Sequence, residues 1–529
     1  MYNSWLKEVA RTMVMGCLCL AWQATGAPVI KARSVPGENL FGGSSIRKFV
    51  IKVEESELTK LKQDNRKYVR ATVIDGQDVY KDVGIHLKGM GSFQPLEKKP
   101  SFVVKFDYED PKQRYEGLSK FMLNNASQDG TYLAEYMGTS LFRDAGLPAA
   151  RVTHAFVEFN GRDLGMYVLI EPMNKEFLSQ HFKSVRGNLY EAYLHDVDQP
   201  MEQDNGKTTD QKDIQALAAA AKEEDPVKRW NRLQEVLAAD QFIKHQVLEI
   251  FTAHTDGYGN NFNNYRVYHD TDTDKLHFIA HGIDWAFQST GYPIRPPSRG
   301  LVTRAILATP EGRKRFKQYF PQLFDEVFRL EVLTNRVNAV ETRLKAAARK
   351  PDEAQAFANG AVEMRNRLVE RHKYIEKQLA LPEPQPVKFD GSGMAVIKDW
   401  DTRKETGEPV FDQPKTGEIA TLHIAGDKAP CIASWRKRLA LDEGKYKFTA
   451  RARGAHIEPQ ESETGSGAGV RISGGKRQKK LLGDSDWTAL DYEFEVMAGG
   501  NDVELVAELR AKKGEVWFDS QSMKLIKVK

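Results

Sequence analysis

The stretch HTDGYGNNFNNYRVYHDTDTDKLHFIAHGIDWAF, residues 254–287, decides how this chain is read. It opens with His-x-Asp at 254–256 and places Asn261 five residues beyond Asp256. An alternating segment with a D-T-D-T-D tip follows, read as a β-hairpin, and then Gly-Ile-Asp at 282–284. A carboxylate followed closely by an amide, and later by a second carboxylate, suits phosphoryl transfer. One carboxylate aims an attacking hydroxyl and takes its proton. The amide and the second carboxylate offer oxygen ligands to magnesium. Asp, Asn and Gly also build turns, so the same letters describe a plain loop joining a helix to a hairpin.

Two further stretches carry a resemblance. They are IHLKGMGSFQPLEKKPSFVVKFD (85–107) and EGLSKFMLNNASQDGTYLAEYMGTSLFRDAGLPAARVTHAFVEFNGRDLGMYVLIE (116–171). Taken in order with HTDGYGNNFNNYRVYHD and FIAHGIDWAF, they resemble the spore-coat protein H (CotH) kinase-like family of atypical secreted kinases. The similar region spans about 45–380. The resemblance implies an α+β, two-lobed kinase-like fold, with a small lobe over about 45–175 and a large lobe to 381. It implies ATP and Mg2+ or Mn2+ as cofactors and Ser/Thr of a protein as acceptor.

Residue by residue, it makes Asp256 the catalytic base, His254 a support, and Asn261 and Asp284 the metal ligands. Lys105, on a strand, is the expected phosphate lysine, paired with Glu135 on the following helix; Lys88 is the competitor. Glu171 stands where a kinase chain crosses between lobes, either facing the nucleotide or as a strand-end surface carboxylate. Asn260, Asn263 and Asn264 read as turn formers, Asn264 set apart because the family favours Asn-Tyr there. The chain departs from ordinary kinases in lacking G-x-G-x-x-G, H-R-D, D-F-G and A-P-E. It also carries Ala280-His281-Gly282 where the family favours Pro or Trp before the metal Asp.

The local patterns agree with a mixed unit. ATVIDG and VYKDVGIHLKG alternate around a D-G turn, SFVVKF is a strand, and TYLAEYMGTSLFRDAG has helical spacing ending at Gly146 and Pro148. RVTHAFVEFNG and LGMYVLIE pair across Asn160-Gly161. Residues 205–225 read as a surface helix or mobile insert, Trp230 to Phe251 as one long amphipathic helix, and Arg313 to Leu379 as several helices. Asp270, Asp272 and Asp274 form a solvated tip, without the Gly and Glu of a calcium loop.

Length and composition bound the rest. A chain of 529 residues exceeds what one core usually organises. Net charge is +4 with both signs interspersed, which excludes a nucleic-acid footprint. Residues 1–27 read as a signal peptide, with Lys7 and Arg11 before an apolar core and Thr-Gly-Ala at 25–27. The expected location is therefore secreted, periplasmic or cell-envelope, with no transmembrane segment after removal. Lipoprotein anchoring at Cys17 is the lesser alternative, because few apolar residues precede it. Signal removal leaves Cys431 alone, so no internal disulfide is expected.

Pro382, Pro384 and Pro386 mark a linker over 382–387. Beyond it, 388–529 reads as short strands between Gly, Asp and Asn turns, an all-β sandwich or jelly roll. Its closing GEVWFDSQSMKLIKV is similar to carbohydrate-binding modules, implying polysaccharide as a partner, with Trp435 or Trp487 against sugar or in the core. Two other functions compete with a kinase. One is a non-catalytic scaffold or glycan-binding surface protein, disfavoured by retention of Asp256, Asn261 and Asp284. The other is a glycoside hydrolase using Glu171 and Asp256.

Overall fold

The computed structural model describes residues 35–296, 298–426, 430–460, 465–496 and 502–528. The expected leader, with Cys17, lies outside them. No helix among the described residues is long and apolar enough to cross a membrane.

Seven strands close into a barrel: β1 (Arg47–Lys52), β2 (Val69–Asp75), β3 (Asp78–Lys88), β4 (Ser101–Lys105), β5 (Lys120–Asn124), β6 (Val152–Phe159) and β7 (Arg162–Ile170). Their order is β1-β2-β3-β4-β5-β7-β6, and β6 returns parallel to β1. Period-two alternation sorts their side chains. Val83, Ile85 and Leu87 join Phe49, Phe102 and Phe121 in the interior. Gly84, His86 and Lys88 therefore face outward, as do Lys105 and Asn124. Helices α1 (Glu38–Gly42) and α2 (Glu55–Gln63) flank β1, and α3 (Ala134–Asp144) follows β5. The Asn160-Gly161 turn has φ of +47° and +79°, matching a hairpin turn whose twist suits the strands. Asn160 also ties the hairpin to the end of β1. Its Oδ1 accepts from Val53 N at 2.7 Å and its Nδ2 donates to Val53 O at 2.9 Å.

The next region builds a four-stranded sheet from β8 (Leu189–Glu191), β9 (Glu202–Asn205), β10 (Tyr265–Asp270) and β11 (Lys275–Ala280), in order β11-β10-β8-β9. Around it lie α4 (Lys175–His181), α5 (Lys212–Ala221), α6 (Pro226–Val236), α7 (Ala239–Phe251), α8 (Tyr258–Asn261), α9 (Leu301–Leu307), α10 (Pro310–Glu326), α11 (Leu330–Ala347) and α12 (Pro351–Leu379). One core joins α3, α7 and α10 to α12.

Two expectations need correction. The helix expected from Trp230 to Phe251 is two helices. Leu237 instead forms a bridge with Leu276, and Ala238 N donates to Leu276 O at 3.0 Å, so strand pairing takes over the backbone at the break. Of the two readings of residues 205–225, the mobile insert falls and the helix stands, over Lys212–Ala221. Helix α5 buries Ile214 and Leu217 in a core with Trp230 and Phe278.

The last region is a two-sheet β-sandwich. The larger sheet holds β12 (Met394–Val396), β23 (Lys524–Val528), β18 (Gly444–Glu458), β22 (Lys513–Asp519), β16 (Ile419–Gly426) and β14 (Val410–Asp412), with β15 (Lys415–Thr416) on β16 and β20 (Gly483–Val496) on β18. The smaller is β13 (Asp401–Thr406), β17 (Cys431–Ala440), β21 (Asp502–Ala511) and β19 (Gly467–Ile472). Trp435 is in its core, with Nε1 donating to His423 O at 3.2 Å. Trp487 is half-buried on β20, with the Arg451 guanidinium 5.8 Å from its ring.

Asn160→Ala removes both hydrogen bonds to Val53 at a left-handed position. It is expected to lower unfolding free energy by about 2 kcal/mol, read from a denaturant midpoint shift at unchanged slope. An unshifted midpoint would show that the hairpin needs no tie to β1.

Candidate functional site

The loop after α7 is shaped by one buried acid. Glu249 Oε1 accepts from Tyr258 N at 2.9 Å, and Oε2 accepts from Gly259 N at 3.1 Å and Gln246 Nε2 at 3.0 Å. Burial still pushes this carboxyl up to about 7, against those hydrogen bonds. The glycines of Asp-Gly-Tyr-Gly follow from the close approach. A Cβ at Gly257 would lie 2.4 Å from Glu249 Oε1, and one at Gly259 would lie 2.6 Å from Gln246 Oε1. His254 is buried in the same turn, and burial lowers its imidazole to about 4, so it is neutral at neutral pH.

Asp256 then projects into a cage of amides. Oδ1 accepts from Asn261 Nδ2; Oδ2 accepts from Asn263 Nδ2 at 3.0 Å and Asn264 Nδ2 at 2.8 Å. Asn263 and Asn264, read as turn formers, are thus also donors to the acid. The turn explains their aim: Phe262 and Asn264 both have positive φ, 52° each. Only Asn260 bonds elsewhere, donating to Thr255 O at 2.6 Å.

The hairpin β10–β11 folds the long gap before Asp284 back on itself. Tyr265 pairs with Ala280, and His281 N donates to Asn264 O at 3.1 Å. Gly282 then meets Asn264 so closely that a Cβ there would fall 2.3 Å from Asn264 Oδ1. Two residues on, Asp284 sits in a single 3-10 turn (Ile283–Trp285), with Oδ2 accepting from Asn124 Nδ2 of β5 at 3.3 Å. Asn264 therefore touches both Asp256 and the turn that leads to Asp284. The hairpin tip is the expected turn except that Asp270 is buried rather than solvated, accepting from Asp272 N and Thr273 Oγ1, while the exposed Asp274 meets His269. No cluster of three His, Cys, Asp or Glu groups suited to a metal exists among the described residues.

Of the two candidate lysines, Lys88 reaches this place. It ends β3 on the outer face, and its charge feels Asp284, Glu135 and Glu191, while burial lowers its amine. Burial, then Asp284, raises Glu135, and burial raises Asp284; Lys88 opposes both shifts. No ion pair joins these three groups, and buried Glu135 Oε2 has no hydrogen-bond partner among the described residues. That oxygen lies near Asp284, a lysine and the Asn124 carboxamide bonded to Asp284.

Lys105 is the correction. It pairs across the sheet with Gly84 and Lys120, four residues along β3 from Lys88, roughly 13 Å by strand rise. Its amine lies 5.7 Å from the Tyr68 ring, and it forms no pair with Glu135. Glu171 is the second correction. Its Oε1 accepts from Arg151 Nη2 at 2.6 Å and Gln180 Nε2 at 2.7 Å, and its Oε2 from Arg151 N and Nε, so this buried carboxylate is structural. Its pairing also separates it from Asp256 as a hydrolase dyad.

Sequence reading missed Glu191 and His281 as neighbours of the site. Pairing of β8 with β10 sets Glu191 beside Arg266, which it contacts together with Asp204. His281 Nε2 is 3.3 Å from Glu191 Oε1. No spacing in the sequence announces this; only the strand register does.

A family model described as CotH kinase protein matches residues 85–380. Inner spore coat protein H of Bacillus subtilis is 21% identical over 271 residues, 47% of this chain and 73% of that protein. Invasin CotH2 of Rhizopus delemar is 22% identical over 260 residues, 42% of this chain and 44% of that protein, so this chain spans less than half of the invasin. Among solved structures, the proinflammatory kinase CtkA of Helicobacter pylori aligns at 10% identity over 53% of this chain and 95% of that chain, with a TM-score of 0.26.

Glu171→Ala is expected to cost about 3 kcal/mol of stability, because it strands Arg151. Nucleotide affinity of the folded variant, read by calorimetry, should not change. Weakened nucleotide binding without loss of stability would return Glu171 to the site.

Proposed function

The chain belongs to the CotH kinase family, and on that premise we propose that it transfers the ATP γ-phosphoryl group to Ser or Thr of an envelope or extracellular protein. The observation that carries the reading is the meeting of Lys88, Glu135 and Asp284, with the amide-caged Asp256 tied through Asn264 to the turn before Asp284. In this reading Asp256 accepts the hydroxyl proton as the substrate oxygen bonds to γ-phosphorus and the bond to the departing ADP breaks. The cage restrains the carboxylate while leaving Oδ1 a lone pair for that proton.

Asp284 and Asn261 would hold Mg2+ or Mn2+, which neutralises phosphate charge and orients the phosphates when bound. Lys88 would pair with phosphate oxygens, and Glu135 would position its amine, a role assigned in the sequence reading to Lys105. The turn Gly89–Ser92 immediately follows Lys88 and offers backbone N–H groups to the same phosphates; Gly89 has φ of +102°. An extracytoplasmic setting is supported by the composition of 1–27 and by relatives named as a spore coat protein and an invasin. The β-sandwich would address the enzyme to polysaccharide.

Pure protein with labelled ATP and Mg2+ or Mn2+ should place label on itself or on an acidic casein-like protein. Asp256→Ala should lower turnover by about 10³-fold while sparing nucleotide binding. Transfer persisting in that variant would remove Asp256 as the base. Nucleotide binding with no transfer by the parent protein would favour a scaffold.

The two lysines give an independent check. Lys88→Met should reduce kcat/KM for ATP by roughly 10²-fold or more, the loss of a charged contact to phosphate. Lys105→Met should leave it within about twofold, inside the usual range for a surface change. The reverse ranking would restore Lys105.

A further inference from the structure

Against the loop that carries Asp256, a cavity of about 270 Å³ lies between the helical region and the smaller sheet of the sandwich. We propose that it binds one saccharide ring, and that its occupant is felt by the loop carrying Asp256. Binding stands independently of the kinase reading; an effect on turnover rests on that reading.

The walls supply the chemistry. Tyr292, Phe316, Tyr374 and Phe494 give aromatic surface, the partner for the apolar faces of a sugar ring. Polar groups sit at both ends. On the loop side are Gln246, Glu249 and Asn260, and on the sandwich side Arg403, Arg438 and Glu504. Both charge signs are present and largely paired. Arg295 donates to Asp502 Oδ2 at 2.6 Å and Arg438 to the same oxygen at 2.8 Å, while Arg403 lies 3.4 Å from Glu405. Such a lining selects neither an anion nor a cation, but it offers many donors and acceptors to hydroxyls. The volume falls just below the roughly 300–1,000 Å³ usual for small-molecule pockets, so it suits one ring, not a polymer segment.

The cavity is also joined to the reaction loop. Glu249 is at once a wall and the acceptor of the Tyr258 and Gly259 amides. Asn260, another wall residue, holds Thr255 O next to Asp256. Arg299 N donates to Gly259 O at 2.8 Å from the segment that passes the cavity mouth. Asp502, shared by Arg295 and Arg438, fixes the sandwich wall against the helical one. A ring hydroxyl donating to Glu249 would stabilise the brace, because that carboxyl is short of compensation for its burial.

The test uses the full chain with glucose, galactose, N-acetylglucosamine and glucuronate, each titrated by calorimetry. At least one neutral sugar should bind saturably with unit stoichiometry, and glucuronate more weakly. Ser473→Trp, at an exposed turn on the cavity wall, and Arg403→Ala should each weaken that binding at least about tenfold. Circular dichroism and thermal unfolding would confirm that both variants fold. The bound sugar should slow amide exchange across 254–264 in the parent and not in Ser473→Trp. Absence of binding by every neutral sugar, binding indifferent to both variants, or stronger binding of glucuronate would overturn the site. Binding at the site with unchanged exchange would overturn its link to the loop. A sugar that binds and slows exchange in a protein without phosphotransfer would uphold this inference and count only against the kinase reading.

Discussion

Asn264 is where the geometry of the site is decided. Its amide bonds Asp256, its carbonyl closes the base of the β10–β11 hairpin through His281 N, and its side chain presses on Gly282. The Asp256 carboxylate and the turn that leads into Asp284, far apart in sequence, meet on a single polar side chain. The constraint reaches outward. Gly282 has to be glycine because of the contact and its φ of +59°, and that turn sets the direction in which Asp284 meets β5. Glu249 does the same work on the other side of Asp256, pulling two backbone amides inward so that α8 starts where it does.

The second organising element is electrostatic. Lys88, Glu135 and Asp284 come from a barrel strand, a helix and a short turn, and each is unfavourably desolvated where it stands. The attraction between Lys88 and each acid offsets part of that cost without direct ion pairs, while Asp284 adds to it at Glu135. A buried oxygen left without a donor is expensive in a protein that only has to fold. Its retention between a lysine and a second acid fits a place where charge arrives from outside, with binding supplying what folding leaves unsatisfied.

Much of this was legible in the sequence, and the failures have physical causes. The Asp-Gly and Asn-Gly turns flanked by alternating residues announced two hairpins, and the Gly-then-Pro ending of α3 announced its stop. The spacing of Asp256 and Asn261 becomes a contact, Asn261 Nδ2 donating to Asp256 Oδ1. The choice between Lys88 and Lys105 was not legible, because both occupy outward positions of adjacent strands and period two treats them alike; only closure of the barrel against α3 ranks them. The break between α6 and α7 was hidden because the helical spacing of apolar residues runs through Leu237, and the interruption is imposed by Leu276. The donors Asn263 and Asn264 looked like turn residues because they are turn residues too. Glu191 had no signal at all, and His281, noticed only as a departure before Asp284, gave no hint of its partner, since strand register alone unites them.

The parallel pairing of β6 with β1 has a mechanical consequence. A barrel closed by its own hydrogen bonds cannot widen by fanning its strands apart, as an open sheet can, without breaking a row of those bonds. Shape change in this half of the chain is therefore concentrated outside the strands. The wall that carries Lys88 and Asn124 keeps its spacing, and the chain leaves the barrel through the segment after β7. There Glu171, gripped by Arg151 just before β6 and by Gln180 on α4, ties the barrel to the chain that follows it.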